Sequence, residues 1–287
     1  MKILVIVVTH NGLGWVDRCL GSVRASETGA DLFVVDNDSE DRTADKVQGS
    51  FPEAKLVRSA ENLGFSKANN LGLRYALDHG YDYAYLLNQD AWLFPDTLGL
   101  LVSAAESHPD YAVLSPMQMK ADGSGPDALF DKNSRRKMRG GDDTVREVPF
   151  VMAAHWLVRI SALRTVGLLA PIFPLYGEDD NFCDRIHYHG LKVGIVPAAQ
   201  AVHDRALRQE PLDRIIRRNY YMGSLRRLCD IRRPLWERRA FVLLFTVVKT
   251  FRYRSFLPWR YHRELLRLLP EIRSTRSVTR SPAAFLP

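Results

Sequence analysis

Ile3-Leu4-Val5-Ile6-Val7-Val8-Thr9-His10-Asn11 is a continuous apolar run that stops abruptly on three polar side chains. A segment apolar at successive positions suits a strand covered on both faces. It follows a single lysine and ends without a small-residue cleavage site, so it reads as a strand rather than a secretory signal. Directly after it, Val16, Cys19, Leu20 and Val23 recur at i, i+3, i+4 and i+7, one face of a helix. Leu32 to Val35 is then a second apolar run, and it too stops on polar residues, Asp36-Asn37-Asp38.

The alternation continues outward from this unit. Lys55 to Arg58 is a short third strand, Ala68, Leu71, Gly72, Tyr75 and Ala76 form a helical stripe, and Tyr83 to Leu87 is a strand ending on Asn88-Gln89-Asp90. A helix with Leu98, Leu101, Val102 and Ala105 on one face follows Pro95. Strand and helix in strict alternation predict an α/β fold, with a mostly parallel sheet flanked by helices. Ligands of such sheets bind outside the carboxyl ends of the strands, where the three polar clusters converge. Met117 to Glu147, rich in Gly, Asp, Lys and Arg without periodicity, predicts a mobile loop or lid. Beyond it, strands are expected at Val148 to Val151, Trp156 to Ile160 and Lys192 to Val196. Helices are expected at Ser161 to Val166 and Asp179 to His189.

The chain has 287 residues, 46% hydrophobic and 25% charged, a globular balance that excludes a disordered or fibrous protein. Its net charge of +7 conceals two parts. Residues 1–204 hold 20 basic and 27 acidic side chains, and residues 205–287 hold 20 and 6. This divides the chain into a catalytic body, 1–204, and a basic helical C-terminal region, 205–287, which serves a membrane interface, the acceptor or oligomer contacts. Three scattered cysteines, Cys19, Cys183 and Cys229, exclude a disulfide framework and point to a reducing, cytoplasmic setting. The apolar run Phe241 to Val248 falls short of the roughly 18 to 20 residues a spanning helix needs.

The polar clusters suit particular chemistry. Asn11-Gly12-Leu13-Gly14-Trp15-Val16-Asp17 has Asp17 where the third glycine of a dinucleotide fingerprint belongs, which argues against hydride transfer, and no Walker-type phosphate loop occurs either. Asp36 at a strand end accepts hydrogen bonds from a ribose hydroxyl or a pyrimidine N–H, or else its neighbours Asp38, Ser39 and Asp41 only cap the next helix. Asp90 is placed for Mg²⁺ or Mn²⁺, which take oxygen ligands and bridge protein to phosphate, although one Asp after a strand also forms turns. Gly177-Glu178-Asp179-Asp180 precedes a helix, where the dipole favours acids. Their mutual repulsion raises a carboxyl pKa toward that of a general base. His203, beside Asp204, is either structural or a metal ligand. His187 and His189, two apart on a helix, share no face and are set aside as ligands.

Five segments together resemble the successive motifs of family 2 glycosyltransferases with the GT-A fold, over about Met1 to Asp204. They are Val7 to Asn11, Val34 to Ser39, Glu61 to Asn70, Leu87 to Ala91 and Tyr176 to Asp179. Asn62-Leu63-Gly64-Phe65 with Asn69-Asn70 is similar to the rhamnosyltransferase-type members that build cell-surface polysaccharides. The resemblance implies a donor site of Thr9, His10, Asn11, Asp36, Asp38, Asn62, Gly64, Phe65, Asn69, Asn88 and Gln89 for a dTDP- or UDP-sugar. It implies a metal site of Asp90 and His203, and a catalytic Glu178-Asp179 pair in which Asp179 is the base of an inverting transfer. The acceptor implied is a glycan or a lipid-linked glycan. Asn88, Asn181 and Asp184 depart from residues common in the family at their positions.

Beyond Asp204 the arginines come in pairs (217-218, 226-227, 232-233 and 238-239) with aromatic and aliphatic residues between them. Such helices suit an anionic membrane surface, which would hold the enzyme peripherally at the inner face of the cell membrane. The plainer reading is a helical subdomain packed on the body, or on a second copy in a homodimer. Nucleic acid is not an expected partner, since no recognised module accompanies the basic residues. A nucleotidyltransferase and a non-catalytic basic adaptor are the rival functions. The first lacks its Gly-rich basic loop after Ile3 to Val8, and intact Asp90, Asp179 and His203 argue against the second.

Overall fold

A computed structural model describes residues 1–205 and 211–286. In chain order the elements are β1 (Ile3–Thr9), α1 (Val16–Arg24), β2 (Asp31–Asp36), α2 (Thr43–Ser50), β3 (Lys55–Arg58), α3 (Gly64–Asp78) and β4 (Tyr83–Asn88). There follow β5 (Ala91–Leu93), α4 (Thr97–Ser107), β6 (Tyr111–Met119), α5 (Ala128–Asn133), β7 (Arg146–Glu147), β8 (His155–Arg159), α6 (Ile160–Val166), α7 (Glu178–Tyr188) and β9 (Lys192–His203). The C-terminal region contributes α8 (Leu212–Ile216), α9 (Gly223–Cys229), α10 (Leu235–Tyr253), α11 (Leu257–Arg267) and α12 (Leu269–Val278).

The strands form one sheet in the order β3-β2-β1-β4-β8-β6-β9-β5, with β7 added beside β9. Most paired residues lie in the parallel ladders β2–β3, β1–β2, β1–β4 and β6–β9, as the alternating pattern predicts. The antiparallel strand β8 sits between β4 and β6. Alternation along β1 divides the core between the two faces. Leu4 and Ile6 pack toward α3, α6 and α7, while Ile3, Val5 and Val7 pack toward α1 and α4.

Three expectations change. The 117–147 segment carries the end of β6, helix α5 and strand β7, and it is anchored by Phe130, which is fully buried. Val148 to Val151 is not a strand. Strand β9 runs on past Val196 to His203, because its ladder with β6 skips from Pro116–Val196 to Met117–Gln200 and then resumes. A proline without an N–H at that point suits a bulge. The extra length brings the end of β9 alongside β5.

The C-terminal helices rest on the body. Met222, Leu225, Leu228, Cys229, Val242, Leu265 and Ile272 share a buried cluster with Ala170, Ile172 and Phe173, the stretch leading into α7. Among the described residues no helix is long and apolar enough to cross a membrane.

Candidate active site

The ends of β1 and β2 form the first wall. Their parallel register sets Thr9 beside Asp36, and the Thr9 hydroxyl donates to Asp36 Oδ1 at 3.1 Å while the Ser39 N–H donates to Oδ2 at 3.2 Å. Asp36 is buried, and two bonds leave part of its acceptor capacity open to a ligand N–H or hydroxyl. The loops behind it are sewn together. Glu40 N–H donates to Asn11 Oδ1 at 2.8 Å, Gly12 N–H to Thr43 Oγ1 at 2.9 Å and Leu13 N–H to Asp41 Oδ2 at 3.0 Å. Asn11 and Asp38 are in the left-handed region, at φ 50° and 64°, and both are exposed.

A second loop joins through Asn37. Its amide donates to Asn62 Oδ1 at 3.0 Å and accepts from Leu63 N–H at 2.7 Å. Gly64 lies at φ 73° so close to Pro174 that a Cβ would stand 2.3 Å from its carbonyl oxygen, which itself accepts from Phe65 N–H at 2.7 Å. Gly64 therefore docks the start of α3 on the stretch that precedes α7.

Some residues assigned to the donor site are occupied by the scaffold. Gln89 accepts from His10 N–H at 2.9 Å and donates to His10 O at 3.2 Å, locking β4 to β1. Asn69 donates to Phe65 O at 3.0 Å within its own helix. His10 is exposed, with its ring at 2.9 Å from Asn37 O, and the backbone of Asn88 bonds to Ala154 O at 3.1 Å.

The third corner is made by topology. In the antiparallel β5–β9 ladder Ala91 faces His203, so Asp90 meets a histidine far along the chain, Oδ1 to Nε2 at 3.4 Å. Asp204 N–H donates to Asp90 O at 2.9 Å and fixes the junction. Burial works against ionising Asp90, but the His203 contact and the nearby Arg205 charge outweigh it and hold the carboxyl below its ordinary pKa. His203 is buried and its Nδ1 has no hydrogen-bond partner. Beneath lies His155, bonded to Tyr85 Oη at 2.9 Å and Val202 O at 3.0 Å. Burial first, and the His203 charge second, push His155 down to about 3, so it stays neutral.

Asp90 and His203 Nε2 together supply two donors, part of a coordination shell for Mg²⁺ or Mn²⁺. Among the described residues no group of three or more His, Cys, Asp or Glu could hold a metal ion. A cation there would complete its shell with phosphate oxygens and water, the usual habit of Mg²⁺.

The acids gather at the start of α7. Gly177, at φ 93°, begins a first turn of Glu178, Asp179 and Asp180. Glu178 is buried with Oε2 unpartnered, and burial followed by the Asp179 charge raises its pKa well above the ordinary value. Burial also raises Asp179, against the opposing pull of backbone N–H groups, including that of Ala153, and of Arg226. Burial and then the Asp179 charge lift Asp180 to about 7, although Arg226 lies 2.9 Å from it. Asp184, one turn on, is raised to about 6 by burial and pairs with Arg232 at 2.9 Å and Arg226 at 3.7 Å.

The sequence reading missed the hub joining these corners. Ala153 N–H reaches Asp179, Ala154 O takes Asn88 N–H, and Met152 O takes the Gln118 amide at 3.2 Å. It also missed Arg205, held by Asp127 at 3.3 Å and close enough to Asp90 to lower its pKa, as well as His155 and the identity of the arginines that meet α7. The basic step after His203 was the available signal for Arg205.

Residues 4–167 match the family model described as glycosyl transferase family 2, a match that ends before α7. The chain is 26% identical to the N-acetylglucosaminyl-diphospho-decaprenol L-rhamnosyltransferase of Mycobacterium tuberculosis over 234 residues, 70% of this chain and 76% of that protein. It is 23% identical to the low-salt glycan biosynthesis hexosyltransferase Agl10 of Haloferax volcanii, over 63% of this chain and 61% of the relative. Among solved structures, S. aureus TarS 1-349 in complex with UDP superposes with a TM-score of 0.58 at 16% identity, covering 84% of this chain and 70% of that one. This likeness places the sheet and its helices in the GT-A fold.

Proposed function

The chain belongs to glycosyl transferase family 2, and from that premise we propose that it moves a sugar, rhamnose from dTDP-rhamnose being the first choice, onto a hydroxyl of a lipid-linked or growing surface glycan with inversion. The rhamnosyl and hexosyl transfer named for its relatives supports the sugar class, and a lipid-diphosphate acceptor is named for one of them. The observation that carries the reading is the β5–β9 register, which sets Asp90 against His203, while the adjoining backbone of Ala153 and Ala154 bonds Asp179 and Asn88.

In this reading Thr9 and Asp36 receive the nucleobase and ribose, with the loop from Asn62 to Phe65 shaping the pocket. Asp90, kept ionised, and His203 would hold Mg²⁺ or Mn²⁺, which supplies charge neutralisation to the departing diphosphate. Asp179 accepts the proton of the acceptor hydroxyl as its oxygen attacks the anomeric carbon from the face opposite the leaving group. A raised pKa brings the base nearer the working pH. Arg226 keeps Asp180 and Asp184 from adding their full repulsion.

The test is a thermal-shift series with dTDP- and UDP-sugars, each with and without Mn²⁺. A binding-competent donor at about 100 times its Kd stabilises the fold by about 2.7 kcal/mol. No shift with any nucleotide sugar sinks the proposal, and a shift independent of metal removes its metal component.

A further inference from the structure

The 19-residue helix α10 buries only Val242 and Thr246. Trp236, Leu244 and Phe251 are 72%, 64% and 77% exposed, and Ala240, Leu243, Val247 and Val248 join them at the surface. At 3.6 residues per turn these positions form one stripe about 140° wide, as broad as the face a helix normally turns to a core. Phe256, 81% exposed, continues it past the end of the helix. An apolar patch of this extent marks a place of contact.

The charges around the stripe select the partner. Four of the C-terminal arginines are engaged internally. Arg226 and Arg232 meet Asp180 and Asp184, Arg238 meets Asp230, and Arg276 donates to the carbonyls of Leu228, Asp230 and Arg233. Arg239 and Arg252 flank the stripe on its two sides, Arg254 caps its end, and all three are exposed and carry no ion pair among the described residues. At the other end Arg232, Arg233 and Arg238 line a recess of about 390 Å³, but Arg232 and Arg238 are held there by Asp184 and Asp230. A parallel second copy would bring arginine to arginine, while an antiparallel one could pair only the single acid Glu237, at the edge of the stripe, against Arg239, Arg252 and Arg254. A surface that is apolar within and anionic at its edge satisfies both components.

We infer that α10 lies in the headgroup layer of an anionic bilayer, its apolar stripe at the acyl boundary and the flanking arginines on lipid phosphates. This deepens the proposed function, in which the acceptor is lipid-borne, by naming the surface that receives it. The helix packs on α9 and α11, and α9 packs on α7, so docking would hold the acid-bearing helix at a fixed height above the lipid.

The test is flotation of the full chain with vesicles of equimolar phosphatidylcholine and phosphatidylglycerol, against phosphatidylcholine alone, at low and high salt. The anionic vesicles should carry the protein, and high salt should release most of it. The exposed double variants Leu244→Ser/Phe251→Ser and Arg239→Glu/Arg252→Glu should each lower partitioning by at least about tenfold with unchanged circular dichroism. Failure to float at low salt, or flotation indifferent to both variants, overturns the inference. So does a vesicle-free dimer that the Leu244/Phe251 variant disperses, which would assign the stripe to a second copy. Donor binding by the same variants should equal the wild type's. Flotation by a protein that binds no nucleotide sugar would sink the transferase reading and leave the docking standing.

Discussion

Burial opposes the ionisation of both Asp90 and Asp179, yet their pKa values move in opposite directions. The β4–β5 corner answers burial with an imidazole and an arginine, so Asp90 stays ionised below its ordinary pKa. At the first turn of α7 the backbone N–H groups and Arg226 do not outweigh burial, so Asp179 rises. Divergent environments of this kind separate a metal-holding carboxylate from a proton-accepting one. The acids of α7 titrate as a group, and the cleft's pH response belongs to the set rather than to one residue.

The largest break in this comparison is Asp179→Asn. Transfer should fall by about 10³-fold while donor binding stays near wild type, measured by initial rates and calorimetry. Turnover retained at wild-type rate would move the base elsewhere. Asp90→Ala comes next, with Mn²⁺-supported donor affinity falling by about 10- to 100-fold, and equal affinity with and without metal would refute the assignment of the corner. Asp36→Asn should weaken nucleotide binding by about tenfold, as expected for the loss of a charge-assisted hydrogen bond, whatever sugar is attached.

The subtlest is Arg226→Gln. The base works deprotonated, so the rate rises with pH through its raised pKa. Arg226 lowers that pKa, and removing it should carry the acidic limb of kcat/KM to higher pH. A limb that stays in place would mean that Arg226 acts only in packing.

The strands of the amino-terminal half were legible because both faces are covered and the apolar runs are unbroken, from Ile3 to Val7 and from Tyr83 to Leu87. Asp36 and Asp90 were legible for the same reason, as abrupt polar ends to such runs. Strand β8 was expected, but not its direction, since an apolar run carries no sign. The 117–147 segment misled because one buried aromatic, Phe130, anchors a stretch whose composition is otherwise that of a loop. Gln89 and Asn69 stand within polar motifs, and only the hydrogen-bond geometry separates a group held for a ligand from one that braces a neighbour. The arginine pairs read as a uniform basic surface, whereas the fold divides them between α7 and the solvent face of α10.

The contact between Arg226 and Asp180 also fixes an order of events in biosynthesis. Ribosomes deliver the acids of α7 before the arginines that balance them, and domains assemble broadly from the amino terminus. Until Gly223 to Arg232 has emerged and settled, the α7 acids have neither Arg226 nor Arg232 beside them. The nascent body can close its sheet early, but its proton chemistry is tuned only once α9 arrives. Helix α9 and the turn after it are thus a checkpoint on the body made before them.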